Sequence, residues 1–325
     1  MKKNVLNLDY SKSILSFFMF YVLLIVILFI SIHRDFGTDI YSYRRIFSGV
    51  NPYYTSNSIE WFYKLLIKIF NFFSIKPIYL VEFISLLTIS LLCVNITKFS
   101  KKPLTESYII LSFLLFQHFF GSIRMGLSIV FLLHFDRLYL LKNKKSFWSI
   151  IGCLFHWSQF IHLSCYIFKI KYKHLLIISI VPIIYIFLFD SIKPFVFSQF
   201  SELQVISEYS SHDYMSTLNK PPYASIIIHF LTAHLVYKLI PSKVASRLYF
   251  PLTIIFVSNY FFYDFIYIGE RVSNLFISFK ILMLIEFSKL KITGIYNIPR
   301  LIFVYVYPAY IIYSYTTNNL EHFIK

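Results

Sequence analysis

The stretch that decides the fold is Ile14-Leu15-Ser16-Phe17-Phe18-Met19-Phe20-Tyr21-Val22-Leu23-Leu24-Ile25-Val26-Ile27-Leu28-Phe29-Ile30-Ser31-Ile32, with Arg34-Asp35-Phe36-Gly37-Thr38-Asp39-Ile40-Tyr41 just beyond it. As a helix this apolar run reaches about 28 Å at 1.5 Å per residue, close to the thickness of a bilayer's hydrocarbon core. Arg34, Asp35 and Asp39 therefore emerge where the chain leaves the membrane. Charges at that boundary are costly unless paired or solvated, which makes them candidates for ligand binding or catalysis. The plainer alternative is that Arg34 and Asp35 anchor a helix end at the headgroups.

Composition extends this reading to the whole chain. Of 325 residues, 58% are hydrophobic and only 14% charged, with 38 Phe and 27 Tyr and a mean hydropathy of +0.66. A soluble domain carries about a quarter of its residues as charges, and no water-soluble core could hide this much apolar surface. The net charge of +16 does not point to nucleic acid, because the lysines lie in short clusters between apolar segments, where they set topology. Cys93, Cys153 and Cys165 lie inside apolar segments without paired spacing and read as small buried hydrophobes. The first run has no small-residue cleavage site behind it and reads as a retained signal anchor.

Apolar segments fall at about 14–32, 77–97, 106–121, 124–141, 146–168, 174–190, 223–240, 248–268, 272–289 and 301–316. They are too long and too uniformly apolar for membrane strands, so the fold class is all-α: a polytopic integral membrane protein forming a single transmembrane domain over 1–325. Lys2, Lys3 and Lys12 put the N-terminus in the cytoplasm; Lys98, Lys101 and Lys102 and then Lys142, Lys144 and Lys145 fall inside too. The cluster Lys169, Lys171 and Lys173 would lie outside if 146–168 crossed once. A re-entrant pair of half-helices meeting near His156 removes the conflict, each half being about 16 Å long; one full span with an imperfect charge rule is the alternative. The expected architecture is about nine spans, the re-entrant pair, an external loop at 191–222, and an external amphipathic helix within 33–76. In that helix Glu60, Lys64 and Lys68 recur at four-residue spacing among Trp61, Phe62, Leu65, Leu66, Ile69, Phe72 and Phe73, as in a helix lying flat on a leaflet.

With this topology the remaining ionisable residues gather on the outer face. Arg34, Asp35 and Asp39 follow the first span, Glu60 opens the interfacial helix, and Arg124 tops the hairpin 106–141. Asp264, Glu270 and Arg271 occupy a late outer turn, and His156 points toward the same face. Arginine's planar fork suits phosphate oxygens and keeps its charge at low dielectric. Such a cluster can bind an anion and move a proton. Glu270-Arg271 and Arg124 could alternatively be structural pairs. His118, His134, His162, His229 and His234 sit in apolar helices and are expected to make interhelical hydrogen bonds. There is no metal-ligand spacing, Walker loop, Rossmann glycine pattern or Gly-x-Ser-x-Gly, and no cofactor is expected.

The order of these elements resembles a known family. Arg34…Gly37-Thr38-Asp39…Tyr43, Glu60, Ile123-Arg124-Met125-Gly126-Leu127, Phe155-His156-Trp157-Ser158 and Glu270-Arg271-Val272-Ser273-Asn274-Leu275-Phe276 together resemble the EpsG-type branch of the Wzy-like bacterial polysaccharide polymerases. Gln159 replaces the small residue that often follows the family's His-x-Ser element, and the proline soon after is missing. The resemblance implies a glycosyltransferase of the bacterial inner membrane that joins oligosaccharide repeat units carried on undecaprenyl pyrophosphate, on the outer side, into O-antigen, capsule or exopolysaccharide. Its implied partners are that lipid-linked oligosaccharide, membrane lipid, and a chain-length regulator and flippase of the same pathway, with no nucleic acid.

For such a reaction Arg124, Arg271 and Arg34 would face the pyrophosphate, Asp39 is the first candidate for general base and His156 the second, and Asp35, Glu60 and Glu270 would bind substrate. Tyr41, Tyr43, Tyr53 and Tyr54 offer faces for sugar rings or for interfacial anchoring. A transferase using a polyprenyl monophosphate sugar is the nearest rival. A lipid-linked sugar transporter lacks support from internal repeats, and an acyltransferase using His156 leaves the outer arginines without a role.

Overall fold

The computed structural model describes residues 2–33, 44, 60–76, 79–115, 118, 122–181, 183–184, 223–261 and 272–324. The described residues form helices joined by turns, with no strand among them, as the apolar segmentation predicts. In chain order the helices are α1 (Lys2–His33), α2 (Trp61–Phe72), α3 (Leu80–Phe99), α4 (Pro103–Leu114), α5 (Ile123–Lys142), α6 (Ser149–Phe155), a 3-10 turn (Trp157–Leu163) and α7 (Ser164–Ile167). Then follow α8 (Tyr172–Val181), α9 (Tyr223–Leu239), α10 (Ser242–Phe261), α11 (Ile277–Lys289), α12 (Asn297–Leu301), a π-helical turn (Ile302–Val306) and α13 (Tyr307–Ile324). Among the described residues, α3 is the helix both long and apolar enough to cross a bilayer; Ile14–Ile30, Pro103–Leu114, Tyr172–Val181 and Ile226–Leu239 are shorter apolar helices.

Several helices run past their apolar segments. α1 begins well before Ile14, and α10 starts at Ser242 and carries Pro251 within it. Hydropathy marks only the part of a helix that suits lipid, whereas the backbone ladder continues until something ends it. α5 shows what ends one: Asn143 turns left-handed at φ 55°, its N–H donates to the Tyr139 carbonyl, and the N–H of Lys144 donates to the Leu138 carbonyl. Pro103 sits in the first turn of α4, where its missing N–H costs no helical bond.

The chain forms two compact units, residues 1–163 with 284–325, and residues 164–283. In the first unit α3 lies against α5 and α1, and α13 lies against α4. The outer face of α1 exposes Ile14, Phe18, Ile25 and Phe29, while Phe20, Leu24 and Ile27 are buried. An exposed apolar stripe of this length is a surface for lipid. Hydroxyls inside the apolar helices bond back to their own backbone, Ser85 to the Val81 carbonyl at 3.0 Å and Thr88 to Ile84 at 2.7 Å. Cross-helix bonds fix the packing: the Asn95 amide donates to the Val130 carbonyl at 3.1 Å, and Arg137 donates to Glu106 at 2.5 Å with both side chains buried. In the second unit the His229 ring stacks on Phe256 at 3.7 Å and bonds Ser179 at 3.2 Å, and Tyr172 stacks on Tyr237 at 4.4 Å.

Residues 146–168 are not one helix. α6 ends at Phe155, His156 is extended at φ −157° and ψ 111°, and the tighter turn begins at Trp157. The path doubles back alongside α5. On the way out, the Ser128 hydroxyl donates to the Gly152 carbonyl at 2.6 Å. On the way back, His162 bonds Asp136 at 2.9 Å, both fully buried. The Cys153 thiol meets the Gln159 carbonyl at 3.2 Å across the hairpin. Ser128 and Asp136 are about 12 Å apart along α5 at 1.5 Å per residue, so the segment climbs toward the start of α5 and then descends.

Candidate functional site

The site is built on one apolar cluster drawn from α2, α3, α5 and α6. Tyr63, Leu66 and Phe70 of α2 pack with Leu80, Val81 and Ile84 of α3, Ile123 and Leu127 of α5, and Phe155 of α6. Phe155 is held edge-on by Phe62 at 4.4 Å and by Phe131 at 5.2 Å between ring centres. Each polar group of the site is adjacent to one of these anchors in the chain: Ile123 precedes Arg124, Phe155 precedes His156, and Glu60 leads into the first turn of α2. Packing of the anchors therefore sets the positions of the polar groups.

Glu60 sits at the entry to α2 with extended backbone, φ −60° and ψ 145°, and its carbonyl accepts the Tyr63 N–H at 3.0 Å. Its carboxylate is 4% exposed and is shared. One oxygen pairs with the Arg124 guanidinium, and the other lies 3.0 Å from His156 Nδ1. The Arg124 guanidinium also lies over the Tyr63 ring at 5.8 Å. Burial pushes the Glu60 carboxyl up, but the His156 hydrogen bond and the Arg124 charge outweigh it and hold the pKa below the ordinary 4.5. Glu60 is thus a fixed anion. With the Nδ1 proton directed at that anion, the His156 Nε2 is the basic nitrogen, and among the described residues it has no hydrogen-bond partner. His156 is about one-third exposed, so Nε2 is reachable. A carboxylate that orients an imidazole and stabilises its protonated form is an arrangement able to accept a proton from a hydroxyl.

The structure brings together Glu60, Arg124 and His156 of the residues singled out in the sequence. Asp39, Arg34, Asp35, Glu270 and Arg271 lie outside the described residues, as do Asp264, Tyr41, Tyr43, Tyr53, Tyr54 and the loop 191–222. α2 forms where the periodicity places it, but Glu60 is not part of an outward polar stripe with Lys64 and Lys68. It precedes the helix and turns inward, while Trp61, Leu65, Ile69 and Phe72 are exposed. Of the apolar-helix histidines, His162 and His229 make the expected hydrogen bonds. His118 does not: neither ring nitrogen has a partner among the described residues. Sequence reasoning passed over Glu106, Asp136 and Arg137. Their signal was an ionisable residue inside an apolar helix, which demands a partner. Among the described residues no cluster of His, Cys, Asp and Glu could hold a metal ion.

The profile of the EpsG family matches residues 16–325, nearly the whole chain. The chain belongs to the EpsG family. No curated protein and no solved structure matches it. EpsG proteins are bacterial membrane proteins of the polysaccharide polymerase type, which act on lipid-linked oligosaccharide in the presence of membrane lipid. The matched range includes Glu60, Arg124 and His156.

Proposed function

We propose that this EpsG-family protein polymerises oligosaccharide repeat units carried on undecaprenyl pyrophosphate, at the outer face of the bacterial inner membrane. The observation that carries the reading is the Glu60 carboxylate shared between Arg124 and His156. A hydroxyl of the incoming repeat unit attacks the anomeric carbon at the reducing end of the growing chain. The bond from that carbon to the phosphate oxygen breaks, its electron pair leaves with undecaprenyl pyrophosphate, and the hydroxyl proton passes to a base. His156 Nε2 suits that base, since Glu60 holds the ring and balances the imidazolium charge. Asp39 is the other candidate. Arg124 keeps its charge beside Glu60 and, with Arg34 and Arg271, suits the pyrophosphate; Asp35 and Glu270 suit the sugar hydroxyls.

The topology that serves this chemistry has the N-terminus in the cytoplasm, about nine spans in a single transmembrane domain, and 146–168 re-entrant. Support for re-entry is the doubling back from Gly152 through His156 to His162 beside α5. Support for an interfacial α2 is its exposed Trp61, Leu65, Ile69 and Phe72 opposite the buried Tyr63, Leu66 and Phe70. A chain-length regulator and a flippase of the same pathway are the protein partners this reading calls for.

The test is the polysaccharide banding pattern of a deletion strain complemented with wild type, Arg124→Ala, Arg271→Ala or His156→Ala. A ladder restored by wild type and reduced to single repeat units in the variants supports the reading. Full-length polymer lacking one side-branch sugar points instead to a monophosphate-sugar transferase and removes the pyrophosphate role of the arginines.

A further inference from the structure

The start of α8 and the end of α9 meet through stacked tyrosines. The Tyr172 and Tyr237 rings lie 4.4 Å apart and 10° from parallel, and Tyr249 of α10 closes on Tyr172 at 5.8 Å. The stack gathers cations that are far apart in the chain. Lys171 and Lys173 flank Tyr172, and Lys238 follows Tyr237 with its Nζ 5.5 Å from that ring. Lys243 stands just across the short turn from α9 to α10. All four lysines are exposed, and among the described residues none has a carboxylate partner. Other lysines of the protein are used within the fold: Lys289 pairs with Glu286 at 2.7 Å, and Lys102 donates to the Ser288 carbonyl at 3.2 Å.

Like charges gathered by a packed stack repel one another, so the arrangement favours an anion among them. The surroundings of the patch tell which kind. Lys173, Ile177, Ile180 and Val181 recur at i, i+4, i+7 and i+8, one face of α8. That face is open, with Ile177 60% and Val181 57% exposed, and Ile167 and Phe168 just before the lysines are exposed as well. An ammonium thus stands at the head of an uncovered apolar stripe. A free phosphate would use the cations alone. A phospholipid uses both parts, its phosphate on the lysines and an acyl chain along the isoleucines. Tyrosine, an apolar ring with a polar tip, suits the level between them.

We propose that the lysines around the Tyr172–Tyr237 stack form a binding site for the headgroup of an anionic phospholipid, whose acyl chain lies along Ile177, Ile180 and Val181. The ammonium groups donate to phosphate oxygens, and no proton or group is transferred. The lipid bridges α8, α9 and α10 at one end and offsets the repulsion among their cations. This site is independent of the polymerase reading and stands or falls without it.

The test uses the full chain, purified in detergent, with phosphatidylglycerol titrated in and bound lipid counted by native mass spectrometry. Phosphatidylcholine, which carries no net charge, is the reference lipid. Lys171→Gln/Lys173→Gln/Lys238→Gln is compared with wild type and with Lys142→Gln/Lys144→Gln/Lys145→Gln, which removes as much charge from another turn. A lysine at a membrane surface contributes roughly fivefold in affinity, so the first variant should lose about tenfold or more for phosphatidylglycerol, while the second stays within about threefold of wild type. Equal losses in both variants overturn the proposal and leave the lysines as topology signals only. Wild type that binds the two lipids alike overturns it too, and leaves the patch to an acidic protein segment. Inorganic phosphate is the second probe. It should leave phosphatidylglycerol binding unchanged at millimolar concentration, and displacement by phosphate alone overturns the lipid assignment in favour of a simple anion site. Should the triple variant not be recovered folded, Lys173→Gln alone carries the test, with a loss of about threefold expected and no loss overturning it.

Discussion

Replacing Glu60 by Gln keeps its shape and removes the charge that Arg124 and His156 share. The carboxylate is 4% exposed, and the Arg124 side chain is 16% exposed. Removing one partner of a buried ion pair costs about 3–5 kcal/mol, chiefly because the other charge is stranded. Water reaches part of Arg124, and Arg124 keeps other contacts, including the Tyr63 ring, which soften that cost to about 2–3 kcal/mol. At about 2 °C per kcal/mol for a large domain, Tm falls by about 4–6 °C. Arg124→Met strands Glu60 in turn and costs a similar amount. The double variant strands neither, so it loses less than the sum of the single losses, by about 1.5–3 kcal/mol. The assay is thermal unfolding of the four proteins in one detergent, with polymer banding run in parallel. Single and double effects that add to within about 0.5 kcal/mol would refute the argument, since independent sites behave that way. Loss of polymer in Glu60→Gln with no change in Tm would refute the structural half alone.

Other perturbations reach different parts of the account. The folded pKa of Glu60 is depressed, so its contribution is fully present above the ordinary value of 4.5 and is lost as pH falls through the lower folded value; the Tm gap between wild type and Glu60→Gln should persist at neutral pH and close only below 4.5. Asp136→Ala removes a buried hydrogen bond to His162, and the loss is about 1–3 kcal/mol. Protein recovered from membranes should drop, and the polymer made should track that amount, because this pair anchors the returning arm of the hairpin and touches no substrate. Gly126→Ala places a Cβ against the His118 backbone, which cannot yield, and should cost about 1–3 kcal/mol in Tm measurements. Gly152→Ala meets side chains instead of backbone, Leu132 at Cγ and Cδ2 and the edge of the Phe131 ring, so its cost should be smaller.

How far these features were legible in the sequence depends on the distance over which each is decided. The helices α3 and α5 are readable because each is a long, mainly apolar run with a local stop, Ser100 after one and the left-handed Asn143 after the other. The break at His156 had a signal in the charges: a re-entrant 146–168, which would put Lys142 to Lys145 and Lys169 to Lys173 on one side, needs the chain between them to turn, whereas one full span does not. The inward turn of Glu60 was not visible. Four-residue spacing groups it with Lys64 and Lys68, but its partners lie 64 and 96 residues along the chain. Local periodicity cannot register a pairing of that range. The same holds for Arg137 with Glu106 and His162 with Asp136, where an apolar setting demands a partner without naming it. His118 is the converse case. The sequence rule that a histidine in an apolar helix finds an interhelical bond holds for His162 and His229, and its failure at His118 needed the packing of Gly126 to be seen.

In the proposed function the protein joins lipid-linked repeat units through the site formed by Glu60, Arg124 and His156. The most direct measurement adds purified protein in lipid vesicles to undecaprenyl-pyrophosphate-linked repeat units and counts both product length and undecaprenyl pyrophosphate released. A ladder of products, one pyrophosphate lipid released per new linkage, and loss of both with His156→Ala are expected. Release without chain extension, or extension unaffected by His156→Ala, would contradict it.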